Sequence, residues 1–293
     1  MTHQTSGGLA LLHNTQAART QSPGGSVSSP LRVPSSSHQH APSRFPQRPV
    51  SAEQILKSFS TRSFRREQPG NPELMLRVIA DSIANHQPVP FVMYWGKGLR
   101  PVLAAPEYKC LDYLASMLAR IADCYRPGAR MTLVFTDTHA TLNGHSRESI
   151  DSYFESLIAA AEQRGFSVSL LSFLTAVADL PAADESASQI PPEELLAGLS
   201  ASAAKWFRGE GTSVEGAIRY YQANMIEKQV MDRAFPHTIF VTFNGNGLRS
   251  LFPESLPIFY MYSLRPGVSD KPWVLPPDFG AGPPAGAAHL KLV

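Results

Sequence analysis

The 293-residue chain has only two cysteines, Cys110 and Cys124. That excludes a disulfide scaffold and a Cys-rich zinc module. Charge is also sparse: 17% of residues are Asp, Glu, Lys or Arg, and 26 basic against 24 acidic side chains leave a net +2. A general nucleic-acid binder or a polybasic membrane protein needs a concentrated basic face, which this balance does not provide. No run of about 18 apolar residues exists, so no spanning helix is expected. Acidic residues are missing altogether from positions 1–50; the first is Glu53.

That acid-free stretch holds nine Ser, six Pro, four Arg and four His, with apolar residues scattered among them. It cannot bury enough surface to offset its ordering entropy, which predicts a disordered tail over 1–50. Its composition suits a plain extension, or an export or organelle-import leader without the long apolar segment of a secretory signal. The other 243 residues carry 22 basic and 24 acidic side chains, so the folded part is slightly acidic. Residues 277–293 are rich in Pro, Gly and Ala and read as a loose C-terminal tail. Between the tails, 51–276 is expected to form one α/β domain in the cytoplasm.

Within that domain, helical and strand-like stretches alternate. Helices are expected at 51–59 and 72–85, the second with Leu74, Leu76, Val78, Ile79 and Ile83 on its apolar side and Pro88 and Pro90 as stops. Phe91–Trp95 is a short aromatic and β-branched run that suits a buried strand. A helix at 108–125 ends in Arg126-Pro127-Gly128, and Met131–Phe135 is the clearest strand. Thr136–His145 reads as a turn, and Ser146 caps a helix that ends at Gly165. Phe166–Phe173 is strand-like, 178–193 a loop, and 193–207 a helix. Thr212 and Glu215 have capping-box spacing and open a helix over 213–234, with Val214, Ala217, Ile218, Tyr221 and Met225 on its apolar side. Strands follow at 238–243 and 257–262. Together these predict a Rossmann-like fold: a largely parallel central sheet flanked by helices. Ligands in such folds bind beyond the carboxyl ends of the strands, which directs attention to 96–98, 136–145 and 244–249.

Lys97 stands between two glycines after the first strand. Flanking glycines permit close backbone approach, so its amine can hold a phosphate or carboxylate, or form a Schiff base if desolvated. A surface turn lysine is the other reading. Trp95 and Arg100 frame the same loop as substrate-binding candidates. The chain has no phosphate-binding P-loop and no Gly-x-Gly-x-x-Gly after a strand, so no nucleotide cofactor is expected. Asp137, His139, Asn143 and His145 cluster after the best strand. General acid–base work or amine binding suits them, a capped turn is the alternative, and no second close His pair completes a metal set. On the long helix, Arg219 and Glu227 lie eight residues apart with Tyr220 between them. They read either as two groups in one cleft or as a solvated charged face. Cys110 and Cys124 lie fourteen residues apart on one helical segment, too far to bridge, and read as buried small residues.

The order Tyr125-Arg-Pro-Gly-Ala129, Met131–Phe135, Thr136-Asp137-Thr138, then Arg147–Tyr153, Arg219…Glu227, Phe235-Pro236, Val241–Asn244 and Pro272-Trp273-Val274 resembles the isocyanide (isonitrile) synthase family, also called the pyoverdine/dityrosine biosynthesis family. The resemblance covers about 90–276. Thr138 stands where the family has Gly, Asn244 or Gly245 where it has a His after the penultimate strand, and Val274 where it has a His after Pro-Trp. The resemblance implies an enzyme of secondary metabolism that condenses an amino-acid amine with the ketone of ribulose 5-phosphate. It implies no metal or redox cofactor, and a downstream iron/2-oxoglutarate oxygenase as pathway companion. Lys97, Asp137, His139 and Glu227 would be catalytic. Trp95, Arg100, Asn143, His145, Arg219 and Asn244 would bind substrate.

Two other functions compete. A tRNA-dependent aminoacyl transferase of cyclodipeptide-synthase type needs a Ser nucleophile after the first strand and a basic helix; Lys97 stands at the former, and 111–125 carries only Arg120 among basic side chains. A secreted effector or non-catalytic binding protein is suggested by the N-terminal composition.

Overall fold

The structure, a computed structural model, describes residues 50–178, 190–268 and 270–279. The chain divides into two units, Met1–Gln47 and Arg48–Val293, and every described residue lies in the second. The tails expected at 1–50 and 277–293 lie outside the described residues except for Val50 and 277–279.

Local sequence chemistry sets most element boundaries. Helix α1 (Ala52–Phe59) opens on a capping box, in which Ser51 Oγ accepts from the Gln54 amide and Gln54 Oε1 from the Ser51 amide. Helix α2 (Pro72–Ala84) has Asn71 as its cap and Pro at its first position. Strand β1 is Val89–Trp95, helix α3 Ala105–Ala122 and strand β2 Ala129–Phe135. Helices α4 (Asp137–Leu142) and α5 (Arg147–Glu162) follow, the latter capped by Ser146. Strand β3 is Ser167–Leu170 and helix α6 Leu171–Val177. Beyond the undescribed 179–189 come helices α7 (Glu193–Trp206) and α8 (Ser213–Ala234). Strands β4 (Ile239–Thr242) and β5 (Ile258–Tyr260) complete the sheet, and short 3-10 helices span Asn246–Leu251 and Pro272–Val274.

The five strands are all parallel, in the order β3-β2-β1-β4-β5. This is the expected doubly wound α/β arrangement. Successive residues of β1 point to opposite faces. Phe91, Met93 and Trp95 join a core with Phe59, Leu111, Leu114, Leu133 and Leu157. Val92 joins the other, with Val134, Met225, Phe240 and Ile258. The open edge of β5 is covered by residues 64–70, which run antiparallel to it and exchange backbone hydrogen bonds between Gly70 and Ile258 at 2.8 and 2.9 Å. Because the strand order reverses between β1 and β4, the connections that leave their carboxyl ends run to opposite faces of the sheet and leave a crevice.

Four local expectations are corrected. Thr136–His145 is not a turn throughout, because Asp137–Leu142 forms a helical turn and a half. Only the first part of Phe166–Phe173 is a strand: Leu171 starts α6, whose amide end is held by the distant Asp137. Cys124 is exposed just past α3, whereas Cys110 is buried as expected. In α8 the covered face is Gly216, Ala217, Asn224, Met225 and Glu227, and Val214 is exposed. Among the described residues no helix is long and apolar enough to cross a membrane.

Candidate active site

A cleft of about 820 Å³ opens beyond the carboxyl ends of β1, β2 and β4. Its walls include Lys97 after β1, Thr136 and His139 after β2, Asn244 after β4, Tyr220 and Asn224 of α8, and Lys271 and Trp273 of the C-terminal segment. Helix α7 and the residues after it form one side of it.

The loop after β1 is built by close approach. A Cβ at Gly96 would lie 2.6 Å from the Trp273 indole nitrogen, and one at Gly98 would collide with the Trp273 carbonyl. The two glycines therefore let the 272–274 helix lie directly on the loop. Arg100 fastens that helix: its guanidinium donates to the carbonyls of Pro272 (2.7 Å) and Leu275 and pairs with Glu107 at 2.6 Å. Glu107 is fully buried at the first turn of α3 and also accepts the Ala104 amide. Trp95 is buried beneath, donating to the Tyr153 hydroxyl at 3.3 Å.

Lys97 is buried rather than a surface turn residue. Its ammonium donates to the carbonyls of Gly98 (3.2 Å) and Arg100 (2.9 Å) and lies 3.5 Å from His145 Nδ1. Burial, and then the Arg100 charge, lower the Lys97 pKa. Burial, and then the Lys97 ammonium, push His145 down to about 4, so its imidazole is neutral near pH 7. Burial also lowers Lys271, with Asp270 opposing.

The second polar group lies between α4 and α8. His139 Nε2 is in ion-pair contact with Glu227 Oε2, and Thr138 Oγ1 donates to Glu227 Oε1 at 2.5 Å. The Tyr220 ring packs on the His139 imidazole with centroids 4.6 Å apart. Tyr94 and Tyr220 are both held above the ordinary phenol range, Tyr220 at about 12, first by burial and then by the Glu227 carboxylate.

The structure thus brings Lys97, His139, Asn143, His145 and Asn244 to one cleft, with Glu227 directly behind His139. Trp95 and Arg100 support it from outside the lining. Asp137 does not share it: its carboxylate accepts from the amide of Ser172 (3.0 Å) and from the Ser172 hydroxyl, at the start of α6. Arg219 is exposed, donating to the Glu210 carbonyl with its guanidinium over Phe207. Eight residues advance a helix by about 80° beyond two full turns, so Arg219 and Glu227 diverge. Asp137, His139 and His145 do not converge on one point, and among the described residues no group of three or more His, Cys, Asp or Glu is placed to hold a metal. Among the wall residues that escaped sequence reasoning are Tyr94, Asn224 and Lys271. Asn224 had a usable signal, since it sits one turn before Glu227 on the same helix face.

Fold and cleft together define a doubly wound α/β protein with a crevice at its topological switch point. The chain matches no family profile and no curated protein sequence. Among solved structures it is similar to the PvcA protein from Pseudomonas aeruginosa, with a TM-score of 0.58 and 18% identity over 76% of this chain and 87% of that one. A tyrosyl-tRNA synthetase complexed with L-tyrosine from Archaeoglobus fulgidus scores 0.44, with 14% identity over 70% of this chain and 63% of that one.

Proposed function

We propose that the protein is a small-molecule biosynthetic enzyme of the isocyanide-synthase kind, joining an amino-acid amine to the ketone of a pentulose phosphate. The observation that carries the reading is the cleft at the β1/β4 switch point, which is lined by His139, Lys97 and Lys271, with Glu227 paired to His139 from behind the lining. The PvcA likeness in fold and the order of motifs along the chain support it. Condensing an amine with a ketone requires a proton to leave the attacking nitrogen and another to reach the departing oxygen. His139 suits the first task, with Glu227 orienting its ring and stabilising the imidazolium. Lys97 and Lys271 supply positive charge for a phosphate group. Lys97 already donates to two carbonyls, so it shapes the loop as well as carrying charge. The neutral His145 beside it is suited to accept or relay a proton. The reading includes a cytoplasmic location and an iron/2-oxoglutarate oxygenase acting on the product.

The test is incubation of the purified protein with single amino acids and ribulose 5-phosphate, followed by mass spectrometry for a nitrogenous product. Product is expected from the wild type, with at least about a hundredfold loss in His139→Ala, the scale of a positioned acid–base group. No product from any amino acid, or full activity in His139→Ala together with Lys97→Ala, would sink the assignment.

A further inference from the structure

The cleft carries two lysines in different states. Lys97 Nζ donates to the carbonyls of Gly98 (3.2 Å) and Arg100 (2.9 Å), so two of its hydrogens are committed. Lys271 is partly buried and lines the same cleft, yet among the described residues its amine has no hydrogen bond and no ion pair. Its backbone, by contrast, is fixed. Pro272 follows it and restricts it to extended dihedrals, observed at φ −79° and ψ 142°. The Lys271 carbonyl accepts the Val274 amide at 3.0 Å, and Arg100 holds the Pro272 carbonyl at 2.7 Å. The Trp273 ring packs on Trp95 with centroids 5.4 Å apart. A rigid segment therefore presents a side chain whose end is uncommitted. Burial lowers the Lys271 pKa, with Asp270 opposing, which enlarges the neutral fraction of the amine. Desolvation and a free lone pair are what turn a lysine from a point charge into a nucleophile.

We propose that Lys271 is a nucleophilic lysine that captures the carbonyl carbon of an aldehyde or ketone as a Schiff base. The neutral amine attacks the carbonyl carbon, a C–N bond forms, and the carbonyl oxygen takes up the proton that the nitrogen loses. The resulting hydroxyl then leaves as water with a second proton, and the nitrogen lone pair closes the C=N bond. Nothing is oxidised or reduced, and water is the only product released. The protonated imine carries one positive charge, so Lys271 still contributes charge to the cleft after capture. Lys97 suits this step less well, because its amine is held by two carbonyls. The inference deepens the proposed function, in which a substrate amine would add to the imine carbon and release the lysine amine. It rests on that reading for the ketone being the captured carbonyl; the capture itself needs neither an amino acid nor turnover.

Incubation of the full chain with hydroxyacetone and sodium cyanoborohydride, followed by peptide mapping with mass spectrometry, tests it, since the hydride reduces an imine to a stable secondary amine. The peptide that holds Lys271 is expected to gain the mass of hydroxyacetone less one oxygen atom, at an initial rate at least about tenfold above that of any other lysine. Lys271→Arg keeps the charge and removes the nucleophile, so it should lose the fast-forming adduct. No adduct, an adduct spread evenly over the lysines, one centred on Lys97, or labelling undiminished in Lys271→Arg would each overturn the proposal. Mapping of the wild type locates the adduct by itself, so the result stands even if the variant fails to fold. An adduct on Lys271 without a condensation product from any amino acid would remove the proposed reaction and keep this lysine. Condensation product without an adduct on Lys271 would remove this role and keep the reaction.

Discussion

His145 shows how one residue carries both a structural cost and a chemical use. Its ring is desolvated and faces the Lys97 ammonium, so it stays neutral down to about pH 4. In the unfolded chain the same imidazole titrates near 6.5. Between those values the unfolded state binds a proton that the folded state refuses, so folding stability falls as pH drops from about 6.5 to about 4 and the penalty levels off below. Denaturation midpoints measured across that window should fall more steeply for the wild type than for His145→Gln; parallel curves would contradict the assignment. Glu227 illustrates the residue scale differently. Its burial is offset on one oxygen by Thr138, 89 positions earlier in the chain, and on the other by the ion-pair contact with His139.

At the scale of elements, the 3-10 helix at Pro272–Val274 is held by one side chain. Arg100 reaches its carbonyls and at the same time neutralises Glu107, which is fully buried. Removing the arginine strands a carboxylate in the core, so Arg100→Met is expected to destabilise by about 3 kcal/mol, as for other broken buried pairs. Adding Glu107→Met should restore part of the loss, because no charge is then left unpaired; chemical denaturation of the two variants compares them. Helix ends were readable from sequence where the signal is local. Thr212 with Glu215 closes a capping box as its spacing predicts, and Ser146 caps α5 as expected. The boundary inside Phe166–Phe173 was not readable, because the apolar run continues through it and the group that starts α6 is Asp137, on another element. The covered face of α8 was read in part, with Ala217 and Met225 covered as expected, and missed in part for a related reason. It carries Asn224 and Glu227, and a polar face turned toward a cleft looks, in hydropathy, like one turned toward water.

At the scale of the whole molecule, α1 ties the first covered face of the sheet together. Phe59 meets Phe91 of β1 and Phe259 of β5 edge to face, with centroids 5.3 and 5.2 Å away. It is fully buried. Phe59→Ala is expected to cost about 3–5 kcal/mol, the range for truncating a buried aromatic. Denaturation followed by fluorescence and by circular dichroism should show coincident transitions, since the residue joins a helix to two strands of one core. A loss below about 1 kcal/mol would mean that α1 docks without depending on this contact.

What the sequence determined by itself is the parallel α/β architecture, the caps at Ser146 and Thr212, and the three strand-end loops where chemistry would gather. These follow from hydrophobic period, turn residues and capping spacing, all of which act within a few positions. Only the tertiary structure decided which polar groups share the cleft. It turned Asp137 toward α6, left Arg219 at the surface, and set Tyr94 and Asn224 beside His139 and Glu227. The reason is physical: whether a side chain is paired, stranded or open to a ligand depends on atoms brought in from distant parts of the chain, and the reversal of strand order between β1 and β4 is what brings them.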